Sequence, residues 1–141
     1  MGLMRALEPE SSVVDLGGRW RVIHDVRKSK RPHFVGLKIE FHVTLAQFGG
    51  SLVGSGEKFL VDSAPARPDE VSLLEISGRV EQQTVKLSLL ERIDGRPERS
   101  LIGEILWRPF GRNHMLGSFE VDIAETSGRS EAFRSVSLSS V

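Results

Sequence analysis

From Val35 to Leu45 the chain alternates in a way no helix can use. Val35, Leu37, Ile39, Phe41, Val43 and Leu45 are apolar, and Lys38, Glu40, His42 and Thr44 fill the gaps. A period of two sends successive side chains to opposite faces, so this stretch predicts a strand with one buried and one wet face. The same period returns in Trp20, Val22, His24 and Val26, and again in Val85, Leu87 and Leu89. No long apolar stripe of period 3.6 competes with it. Fourteen glycines and seven phenylalanines, among frequent Val, Ile, Leu and Ser, suit strands joined by tight turns.

Turn chemistry divides the chain. The breaks are the loop Arg27–His33, closed by Pro32; Gly49-Gly50; residues 62–69; Glu81-Gln82-Gln83; Asp94-Gly95; Pro109–Asn113; and Ser127-Gly128. Glycine at such points supplies the positive φ that tight hairpins require. Seven breaks make eight strands, at about 18–28, 35–45, 51–61, 71–81, 83–92, 97–108, 114–124 and 129–138. Residues 1–14 are expected to be a flexible N-terminal arm, and 15–138 a single domain. With no helix long enough for a parallel crossover, antiparallel neighbours in sequence order follow.

Gly54, Gly78, Gly103 and Gly117 each lie two residues beyond an apolar residue (Leu52, Ile76, Leu101 and Met115). Glycine inside a strand marks a sharp bend or a bulky neighbour pressing on the backbone. Four such strands favour curling the sheet closed, which also removes exposed edges. The fold class expected is therefore all-β, an antiparallel up-and-down eight-stranded β-barrel.

Three short motifs strengthen this. Gly18-Arg19-Trp20 forms a Gly-x-Trp at the start of the first strand, residues 45–54 form a glycine hairpin, and Arg134 sits on the last strand. In these the chain resembles the calycin-like barrels, the group of lipocalins, fatty-acid-binding proteins and avidins. The resemblance implies that Trp20 plugs one end of the barrel and that Arg134 lies across it as a structural lock. It implies none of those families' ligands, because the chain has no tyrosine and lacks their ligand motifs.

Composition narrows the function. Nineteen basic and nineteen acidic residues balance, which gives no global attraction to nucleic acid. Without cysteine there are no disulfides, thiolate chemistry or cysteine–zinc sites. No run approaches the roughly 20 apolar residues of a membrane span, and no signal peptide is visible, so a cytoplasmic location is expected. The histidines at 24, 33, 42 and 114 show no ligand spacing on a shared face, so no metal site is expected. A Gly-x-Ser-x-Gly motif and a phosphate loop are both absent, so no catalytic residues and no cofactor are assigned; an enzyme or haem carrier ranks last.

Parity then assigns the interior: Trp20, Val22, His24, Val35, Leu37, Ile39, Phe41, Val43, Leu74, Ile76, Val85, Leu87, Leu89, Ile105, Trp107, Phe119, Val121 and Val136. Such a lining suits a mainly apolar ligand. The polar residues sharing this phase are His24, Glu91 and Arg99, with Glu91 expected opposite Arg99 on the neighbouring strand. His24, Glu91, Arg99 and Trp107 are thus the candidate ligand-binding residues. The function expected is a non-catalytic barrel binding a small hydrophobic ligand, with the loop Arg27–Arg31 as a lid. The alternative is a protein-interaction or inhibitor module with a filled interior, meeting a protein partner through that loop, which carries four positive charges in five residues.

Overall fold

The alternation is realised as eight long strands in a computed structural model that describes residues 15–62, 64–65, 72–93 and 100–135. The strands are β1 (Gly18–Lys28), β2 (Lys38–Phe48), β3 (Ser51–Val61), β4 (Ser72–Glu81), β5 (Thr84–Ile93), β6 (Ser100–Pro109), β7 (His114–Val121) and β8 (Thr126–Arg134). A two-residue segment, Ala64–Pro65, adds to the end of β3. Each strand pairs antiparallel with its neighbour in sequence, and β1 pairs with β8. The sheet is therefore a closed, up-and-down barrel. The expected arm 1–14, the Asp94-Gly95 turn, Arg99 and Val136 lie outside the described residues.

The inward phase read from the sequence is the core. Trp20, Val22, Phe41, Val43, Leu74, Ile76, Val85, Leu87, Leu89, Ile105, Trp107 and Phe119 are all buried, joined by Leu16, Leu52, Met115 and Ala132. Gly49, at φ 61°, makes the β2–β3 hairpin.

Boundaries differ from the sequence reading most clearly at two places. Val35 is 50% exposed rather than inward, because β2 begins only at Lys38. Pro32–Phe34 coils into a 3-10 turn, and the chain re-enters the sheet when Gly36 N donates to Val26 O at 2.8 Å. The second difference is the last reversal. It falls at Ile123–Glu125, where Ala124 and Glu125 adopt left-handed backbone, and Ser127-Gly128 belongs to β8.

Gly128 is a packing glycine, not a turn glycine. It stands opposite Phe119, and a Cβ there would collide with the carbonyl oxygen of Asp25. Gly117 serves likewise opposite Trp107, where a Cβ would strike the backbone of Leu106. The inward face of β8 (Thr126, Gly128, Ser130, Ala132) is small throughout, which leaves volume for the large rings facing it.

One end is sealed by tryptophan. Trp20 is 1% exposed, and its indole N–H donates to Leu16 O at 2.9 Å. Arg134 is its cross-strand partner, with the guanidinium carbon 4.5 Å from the ring centroid. That guanidinium also donates to Gly17 O at 2.6 Å, Asp15 O at 2.7 Å and Arg112 O at 3.0 Å. Truncating so buried an aromatic leaves a cavity as well as losing transfer energy. Trp20→Ala is expected to destabilise the fold by about 3–5 kcal/mol in urea unfolding; a loss under about 1 kcal/mol would show that the ring is not a buried plug.

Candidate functional site

Beyond the tryptophan-filled half, the barrel interior opens. A cavity of about 230 Å³ lies at the end where β1 finishes and β8 begins. Its deep wall is His24, Phe41, Lys58, Glu91 and Phe119; Leu37, Ile39, Val61, Leu101, Val121 and Ile123 line it toward the rim. The strands deliver these side chains by parity alone. His24 continues the phase of Trp20 and Val22, Glu91 that of Leu87 and Leu89, and Phe119 that of Met115.

His24 is held by rings. It stacks on Phe119 at 4.0 Å with 6° between planes, and meets Phe41 edge-on at 5.1 Å. It is 4% exposed, and its Nε2 has no hydrogen-bond partner among the described residues. Burial pushes the imidazole down to about 3, and the positive charge of Lys58 acts in the same direction. Both effects disfavour the charged form, so His24 is neutral near pH 7.

Glu91 and Lys58 form the other polar feature. Lys58 Nζ stands 3.1 Å from Glu91 Oε2, with both side chains largely buried. The contact is an ion pair without hydrogen-bond alignment, because Oε2 has no hydrogen-bond partner among the described residues. Glu91 thus meets a cation from β3, two strands away, across the intervening β4. Sequence reading missed Lys58. Its phase could be counted from Leu52 through Gly54 and Gly56, but a strand with glycines on its inner face carries no apolar alternation to announce that phase.

The other candidates lie elsewhere. Trp107 is 1% exposed in the packed half, away from the cavity, and donates its indole N–H to Ser130 Oγ at 2.7 Å. Arg99, the expected partner of Glu91, is outside the described residues. His114 is near the sealed end with its Nε2 2.6 Å from Glu131 Oε2, so it does not approach His24. Among the described residues no three His, Asp or Glu side chains cluster as a metal site.

The loop after β1 folds over the rim. Phe34, in the 3-10 turn, lines the cavity, and the Arg31 guanidinium carbon stands 5.4 Å from its ring centroid. The loop is tied to the β7–β8 reversal by Lys30 N to Ala124 O at 2.8 Å and by Ser29 Oγ to Thr126 Oγ1 at 2.9 Å. Its charges are partly matched, with Arg27 against Asp25 at 3.1 Å and Lys30 against Glu125 at 3.0 Å. No helix among the described residues is long and apolar enough to cross a membrane.

Fold and site together define a class: a closed eight-stranded antiparallel barrel, half filled and half hollow, with a small polar cluster in the hollow half. The chain matches no protein-family model and no curated protein.

Two outcomes follow from this geometry. The unfolded chain protonates His24 near its ordinary value of 6.5 and the folded chain only near 3. Stability is therefore full above that window and falls as pH drops through it, because the unfolded state binds the extra proton. At about 1.4 kcal/mol per pH unit, acidification to pH 4 costs about 3 kcal/mol at this residue. His24→Phe lacks that loss, so the stability gap between wild type and variant should shift by this amount in the variant's favour between pH 7 and pH 4. Parallel pH profiles would mean that His24 is solvated.

Buried ion pairs repay their desolvation poorly, whereas breaking one strands a charge. Lys58→Met alone is expected to cost about 3 kcal/mol. Lys58→Met combined with Glu91→Leu should return to within about 1 kcal/mol of wild type in urea unfolding. Additive losses in the double variant would show that Lys58 and Glu91 act independently rather than as a coupled pair.

Proposed function

We propose that this protein is a non-catalytic, calycin-like barrel that holds a small, mainly apolar molecule in its hollow half. The observation that carries this reading is the cavity of about 230 Å³, walled by aliphatic and aromatic side chains around His24, Lys58 and Glu91. Ligand sites combine such apolar walls with a few polar groups that orient the guest. The volume lies below the roughly 300–1,000 Å³ of sites for drug-sized molecules, which favours a smaller ligand. His24 and Glu91 are the polar anchors, Lys58 joins them, and the turn Pro32–Phe34 is the lid. The Gly-x-Trp opening and the position of Arg134 over Trp20 support the calycin-like assignment. What favours ligand binding over a rim-loop interaction module is the cavity itself, since a filled interior would leave the buried polar cluster without purpose.

Native mass spectrometry of protein purified from its own host, together with unfolding in a panel of small hydrophobic compounds, tests this. A bound ligand at 100 times its Kd adds about 2.7 kcal/mol and raises Tm by several degrees. Val121→Trp, which fills the cavity from its wall, should abolish that gain. A bare native mass, with no stabilisation by any saturating compound, would refute the reading.

A further inference from the structure

The cavity contains more hydrogen-bonding capacity than the described residues use. Among the described residues His24 Nε2 and Glu91 Oε2 are both buried without a hydrogen-bond partner, and Lys58 Nζ lies 3.1 Å from the latter. Buried polar groups in native proteins are nearly always satisfied, so two orphans on one cavity wall point to a guest that satisfies them. The deep wall brings them together: Lys58 is the cross-strand partner of Phe41, whose ring meets His24.

We propose that the ligand carries a neutral head group able both to donate and to accept a hydrogen bond, as in an alcohol or phenol, seated among His24, Lys58 and Glu91. This rests on the reading of the hollow half as a site for a small apolar molecule, and it adds which chemistry the polar end must have. An ionised carboxylate only accepts and an ammonium only donates, so Glu91 asks for a donor while Lys58 offers one. One hydroxyl meets both demands, giving its proton to Glu91 or His24 and its lone pairs to Lys58.

Charged heads fit worse. Lys58 and Glu91 already cancel, so a carboxylate head would set two anions against one cation, and an ammonium two cations against one anion. In a low-dielectric interior that imbalance is costly. A bare hydrocarbon leaves both orphans unsatisfied. A hydroxyl also reproduces the hydrogen bonds of any water it displaces, which a methyl group does not.

The test is an NMR shift titration of the full chain at pH 7 with four probes of one ring size: toluene, phenol, benzoate and benzylammonium. Phenol is expected to bind roughly tenfold or more tightly than each of the others, the gain of one hydrogen bond to a charged group. In the double variant Lys58→Met, Glu91→Leu the ratio of phenol to toluene affinity should fall toward one. Equal binding of toluene and phenol, or tightest binding by benzoate or benzylammonium, overturns the head-group assignment and leaves the apolar cavity reading intact. Absence of binding by all four overturns both.

Discussion

The docking of β1 onto β8 is the contact on which the rest of this molecule depends. Every other strand pair joins neighbours in sequence and forms across a short connection. This one spans nearly the whole domain and turns an open meander with two exposed edges into a barrel with none. Arg134 sits at that seam. Its guanidinium lies over Trp20 and binds three carbonyl oxygens, two from the lead-in to β1 and one from the turn between β6 and β7. The planar, five-donor fork of arginine suits this role, and the cation–π contact contributes about 1–2 kcal/mol when desolvated.

Closure fixes a limited interior, and side-chain size then divides it. In the sealed half both tryptophans are buried. Trp107 against Gly117 and Ser130 shows the matching of large to small directly. In the other half no side chain as large enters, and the remaining volume is the cavity. The polar groups there gain little stability, because desolvation offsets their mutual attraction.

Much of this was legible from periodicity. The inward phase of β1, β5 and β7 placed His24, Glu91 and Phe119 on the barrel interior without any tertiary information, and Gly49-Gly50 marked its hairpin. Where the sequence misled, small residues were the cause in two places and a turn in a third. Ser127-Gly128 reads as a turn because glycine and serine dominate turns, yet here both lie in β8 and Gly128 lines an inner face that must be small to admit Phe119. Val35 continued an alternation whose first members were drawn off by the turn at Pro32. Lys58 stayed hidden because β3 carries glycines where other strands carry aliphatics.

The amino-acid sequence by itself determined the inward phase wherever apolar residues alternate within a strand, since a period of two is a property of the local backbone. Tertiary structure alone decided how far along the barrel axis each inward residue sits, and so which ones meet. Trp107 and Glu91 share the inward phase, yet one is packed near the sealed half and the other borders the cavity. Glu91 pairs with Lys58 across an intervening strand. Height depends on the registers of eight pairings and on irregularities such as those between Glu40 and Phe41 and between Val26 and Lys28. Those are set only when the ring closes, because closure requires the stagger of every pair to be mutually consistent.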